Sequence, residues 1–94
     1  MTITWYNNAN HKKNCEISEI ADIECYEATD EKGKLFGVCI RKDKVLLGGI
    51  LAEFRSKGAQ EKLFADIQQG LKCGLSDFEV RKSFYERPHV DVKK

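Results

Sequence analysis

Four cysteines (Cys15, Cys25, Cys39 and Cys73) and two histidines (His11 and His89) carry the softest donors of this 94-residue chain. A zinc site would recruit His11 and Cys15, four residues apart, together with Cys25, Cys39 or His89. Structural zinc sites draw their ligands from two closely spaced pairs; here there is one loose pair and no C-x-x-C, so no metal is expected. A cysteine nucleophile needs a neighbouring histidine or helix N-terminus to favour its thiolate. Neither histidine stands in a recognisable cysteine-protease context. The thiols therefore read as small structural hydrophobes, and a cysteine-dependent enzyme ranks third among the functions considered. The carboxylates Glu16, Glu19, Asp22 and Glu24 have the spacing of a solvated face. There is no Walker loop and no G-x-S-x-G elbow, and no cofactor is implied.

The segment "FEVRKSFYERPH" interleaves aromatic and basic side chains, setting Phe78, Phe84 and Tyr85 beside Arg81, Lys82 and Arg87. Aromatic faces stack on bases and cations bind phosphates, so this pattern suits single-stranded nucleic acid. Tyrosine, tryptophan and arginine are equally the types enriched where proteins grip one another. With Trp5 and Tyr6 from the first strand, the candidate binding residues are Trp5, Tyr6, Arg81, Lys82, Phe84, Tyr85 and Arg87, on the outer side of the terminal strands. Core packing competes for Trp5 and Phe84.

Sixteen basic and fifteen acidic residues leave a formal charge of +1, so no net field draws the chain onto nucleic acid or an anionic membrane. The longest apolar run, Val45 to Ala52, is far short of a membrane span, and residues 1–13 lack the basic head and apolar stretch of a secretory signal. A cytoplasmic protein with reduced thiols and no membrane contact is expected. With 41% hydrophobic and 33% charged residues and no repeat or linker, residues 1–94 read as one compact domain, its tail after Pro88 flexible.

The elements that must position these residues follow from local pattern. "TITWY" is β-branched and aromatic, a first strand, and the polar stretch after it reads as a loop. Cys15 to Thr29 fits either a helical stripe or, in its second half, an alternating strand. In "DEKGK", a turn over Glu31 and Lys32 with Gly33 in the left-handed region predicts a three-residue hairpin loop with Asp30 facing Lys34. Counting outward pairs Ala28 with Phe36, Tyr26 with Val38, Cys25 with Cys39 and Ile23 with Arg41; the first two pairs share a face expected to be buried. A turn near "RKDK" leads to "VLL", Gly48 and Gly49 suggest a bulge, and "ILAEF" extends the strand. From Ser56 the pattern is helical: Leu63, Phe64, Ile67 and Leu71 share a face, Ser56 caps the start and Gly74 follows the end. "DFEVRKSFYE" reads as a final strand, with a short helix capped by Ser76 as the other possibility.

The expected fold is α+β: an antiparallel β-meander sheet of four or five strands with one main helix on one face. A ferredoxin-like βαββαβ fold is the alternative, if Cys15 to Ala28 is helical. "TITWYNN" and "GKLFGVCI" bear a loose resemblance to the two RNA-contacting motifs of the RNA recognition motif, with Leu35 at a glycine position and Val38 replacing an aromatic. That resemblance requires the βαββαβ fold. Without a convergent catalytic set, the chain is expected to be a small non-enzymatic protein-binding module of inhibitor, immunity or adaptor type. Phage and mobile-element accessory proteins share its size and lack of motifs. A nucleic-acid-binding domain ranks second.

Overall fold

A computed structural model describes residues 1–7, 9–41 and 49–85. The expected "VLL" strand, Gly48, Arg87, His89 and the tail after Pro88 lie outside the described residues. In chain order the elements are β1 (Thr2–Tyr6), β2 (Lys12–Glu16), a 3-10 turn (Ile20–Asp22), β3 (Ile23–Asp30), β4 (Gly33–Ile40), β5 (Ile50–Phe54), α1 (Lys57–Lys72), β6 (Asp77–Glu79) and α2 (Lys82–Tyr85). The fold is α+β with one main helix, as the pattern predicts. Its strands, however, divide between two three-stranded sheets, ordered β2-β1-β6 and β3-β4-β5. The second is the antiparallel meander. In the first, β6 runs parallel to β1, with Thr2 opposite Asp77 and Thr4 opposite Glu79. Among the described residues the only helical element before β3 is the 3-10 turn, so the ferredoxin-like order is not formed and the resemblance to the RNA recognition motif loses the fold it needs.

β2 begins in the stretch read as loop and ends in the segment read as helix or strand. It is an edge strand with only Cys15 half-buried, so no apolar alternation announces it. Its hairpin is made by asparagines: Asn7 Oδ1 accepts from the N–H groups of Ala9 (3.0 Å) and His11 (2.8 Å), and Asn10 takes a positive φ of 64°. The far end is tied by Glu16, whose carboxylate accepts from the Met1 ammonium (2.9 Å) and the Thr2 hydroxyl (2.7 Å).

Gly33 has the expected positive φ, 121°, but the hairpin register differs by one residue. Asp30 pairs with Gly33 across a two-residue loop, because Asp30 Oδ1 accepts from Lys32 N–H and closes the turn early. Arg55 grips the same carboxylate with two bonds, 2.9 and 2.6 Å, and lowers the pKa of its carboxyl. The slip changes every pair: Glu27 faces Phe36, Cys25 faces Val38 and Tyr26 faces Gly37. Val38 and Phe36 turn toward the core as expected, whereas Tyr26 and Ala28 lie on the opposite face. Cys25 and Cys39 are not partners and project from opposite faces.

"ILAEF" is a strand, with the irregularity at Leu51: Val38 pairs with Ala52 and Cys39 with Ile50, so Leu51 is the extra residue. Both Leu51 and Ala52 are buried, as a bulge allows. α1 starts at Ser56, whose Oγ accepts from Ala59 N–H, and ends in a Schellman motif. There Gly74 takes φ 73°, its N–H reaches Leu71 O, and Leu75 N–H reaches Gly70 O at 3.0 Å.

α1 packs across β3, β4 and β5, and its far end lies against Met1 and Phe78 of the first sheet, close to Gly70. One core results, with Ile3 and Trp5 from β1, Val38 and Ile40 from β4, Phe54 from β5, and Leu63 and Ile67 from α1. Within this apolar contact Gln60 is 5% exposed, and its Nε2 donates to the carbonyls of Tyr26 (3.0 Å) and Gly37 (2.9 Å). Replacing Gln60 with methionine, similar in length and without donors, is expected to cost about 1 to 2 kcal/mol, read by urea unfolding. An unchanged midpoint would mean that neither carbonyl depends on the amide.

Candidate functional site

The Schellman turn folds the chain back over the end of α1, so that Leu75 meets Gly70 and β6 can pair beside β1. Thr2 N–H donates to Ser76 O and Val80 N–H to Thr4 O, both at 2.8 Å, and Val80 is buried. The chain then leaves the sheet. Instead of continuing as the expected strand, it forms the single helical turn α2, where Phe84 N–H donates to Arg81 O. Tyr85 pins this turn down: its ring meets Phe54 edge-to-face at 5.9 Å, and its hydroxyl donates to Asp66 Oδ2 at 2.6 Å. Burial, and then that carboxylate, push the Tyr85 phenol well above its ordinary range.

Between the last turns of α1 and the β6–α2 segment runs a groove of about 520 Å3. Its apolar lining comes from Gly70, Leu75, Phe78, Phe84 and Tyr85, and its polar rim from Asp66, Gln69, Glu79 and Arg81. Phe84 is 71% exposed and Leu75 48% exposed, while the Phe84 ring touches the edge of Tyr85 at 5.8 Å. On the rim, Arg81 pairs with Glu79 at 3.2 Å. Hydrogen bonds from Arg81 and then from the Tyr6 hydroxyl lower the Glu79 carboxyl, and the same bond raises the Tyr6 phenol. Cys73 also stands at the rim, its sulfur accepting from Gln69 Nε2 at 3.2 Å.

The expected binding residues are therefore partly gathered. Arg81, Phe84 and Tyr85 line the groove. Tyr6, 43% exposed, and Lys82 line a second, smaller hollow with Ile50 and Glu53. Trp5 is 2% exposed and belongs to the core: alternation along β1 sends Ile3 and Trp5 inward and Tyr6 outward. Arg87 lies outside the described residues. Leu75, Gly70 and Asp66 were missed because they join the site only through the helix end; "CGL" after an amphipathic stripe was the available signal, since a C′ glycine followed by an apolar residue predicts that fold-back.

The cysteines are less hidden than expected, with Cys25 and Cys73 exposed and Cys15 and Cys39 half-buried. Desolvation, and then the Glu61 carboxylate, push the Cys25 thiol up, whereas a nucleophile needs the opposite shift. Among the described residues no three His, Cys, Asp or Glu side chains group so as to hold a metal ion, and no helix is long and apolar enough to cross a membrane. Compared with known proteins, the chain matches no family, no curated protein and no solved structure.

Proposed function

We propose that this protein is a small non-enzymatic protein-binding module, of inhibitor, immunity or adaptor type, which docks its partner in the groove between α1 and α2. The observation that carries this reading is Phe84, a phenylalanine 71% exposed at the lip of an apolar groove. Scattered surface apolars need no explanation, but apolar groups converging on a concavity with a polar rim have the anatomy of an interface. The runner-up, nucleic-acid binding, is weakened by the rim itself. Asp66 and Glu79 would repel phosphates, and they set two carboxylates against the single arginine of the groove lining.

The test is capture from the native host's lysate on immobilised protein, with and without nuclease, comparing the wild-type chain with the pair Phe84→Ser and Arg81→Glu combined. Both positions are exposed, so the variant should melt within a few degrees of the wild type. A protein retained by the wild type and lost at least tenfold by the variant is the expected result. Retention unchanged by the double substitution would remove the groove from the interface, and capture abolished by nuclease would bring the nucleic-acid reading to the front.

A further inference from the structure

We infer that the groove is self-complementary and that two copies of this chain pair through it about a two-fold axis; this rests on reading the groove as a protein-docking surface. A two-fold interface uses one patch twice, so each copy must present both a projection and the hollow that receives it, and both signs of charge. This patch does so. Phe84 projects from the lip of the groove that Leu75 and Phe78 line, so a rotated copy can lay its Phe84 against the other's Leu75 while receiving the reciprocal ring. Full burial of an aromatic side chain covers about 150 to 250 Å2; Phe84, 71% exposed, has most of its share still to cover, and a two-fold axis counts it twice.

The rim charges fit the same operation. Arg81 stands on the α2 side and Asp66 on the α1 side, so rotation brings Arg81 of one copy toward Asp66 of the other. Each group has a partner in its own copy, Arg81 in Glu79 and Asp66 in Lys62, both at 3.2 Å, with Tyr85 also donating to Asp66; the two ion pairs are surface pairs, and such pairs exchange partners at little cost. Nor does the chain as a whole resist approach. With sixteen basic and fifteen acidic residues, two copies meet with almost no net repulsion, and near-zero charge favours association. A patch this small belongs with weak, reversible interfaces, so a roughly micromolar dissociation constant is expected.

Sedimentation velocity on the full chain, from low to high micromolar concentration, should show a reversible monomer–dimer equilibrium. Phe84→Glu should shift it at least tenfold toward monomer without moving the thermal midpoint. Arg81→Asp and Asp66→Arg should each weaken self-association, and mixing the two should restore a heterodimer, because each copy then meets its opposite charge. Asp66→Arg also removes the acceptor of Tyr85, and recovery on mixing is a readout that a merely damaged fold would not give. A wild type that stays monomeric, a dimer indifferent to Phe84→Glu, or charge-swapped variants that fail to recover would each overturn the pairing. A monomeric wild type whose Phe84-dependent capture of a partner persists would sink this inference alone. A groove-dependent dimer whose capture ignores Phe84 and Arg81 would instead sink the proposed function.

Discussion

Trp5→Ala is expected to lower the stability of the domain by about 3 to 5 kcal/mol, the usual cost of emptying a large aromatic site in a core. Domains have only about 5 to 15 kcal/mol in total, so the variant should melt far below the wild type or fail to accumulate folded. The physical cause is position. Trp5 is 2% exposed on the inward face of β1, in one cluster with Phe54, Leu63 and Ile67, so removing its indole empties part of the core. Each kcal/mol moves the midpoint of a domain this size by about 4 to 8 °C, so thermal unfolding followed by circular dichroism resolves the effect easily. Tyr6→Ala, one residue along and facing out, is the control and should shift the midpoint by only a few degrees. A Trp5→Ala protein that melts like the wild type but loses its partner would return Trp5 to the binding surface, where its residue type alone had placed it.

Gly37→Ala is expected to cost about 2 to 3 kcal/mol, for a reason that lies in a different strand. Tyr26 pairs with Gly37 across the hairpin and lays its ring over the glycine, reaching the carboxylate of Glu53 on the next strand with its hydroxyl. A Cβ at position 37 would collide with the ring's Cζ, Cε2 and hydroxyl oxygen. The backbone there has no positive φ, so alanine itself fits the strand. The ring must swing away, giving up its cover over β4 and its bond to Glu53. The effect should therefore disappear when Tyr26 is absent: in a Tyr26→Ala background, Gly37→Ala should be neutral or slightly stabilising, since glycine is a poor strand residue. A double-mutant cycle by urea unfolding should give a coupling of about 2 kcal/mol. Additive costs would show that the ring and the glycine are independent.

The candidate site was legible as a set of letters and not as a shape. Phe84, Tyr85 and Arg81 were visible as an aromatic and basic group, and they do meet at one groove. Reading the segment as a strand placed them on the outside of a sheet, whereas the chain turns into α2 after Glu79 and delivers them to the end of α1. The three residues of β6 pair with Thr2 to Thr4 of β1, and a parallel neighbour distant in sequence cannot be read from local alternation.

By itself the sequence determined what is decided within about four residues. The start and end of α1 follow from Ser56 and Gly74, its buried face from Leu63 and Ile67, the β1 strand from "TITWY", and the positive φ of Gly33 from the turn it closes. Each rests on contacts between near neighbours, whose geometry covalent spacing already restricts. The tertiary structure alone decided the division into two sheets, the parallel placement of β6, the burial of Gln60 and the inward side of Trp5. Alternation along a strand separates two faces without saying which is inside, and a shift of one residue exchanges them. That choice is made by segments far apart in the chain, through the apolar area they bury together and the backbone bonds they complete.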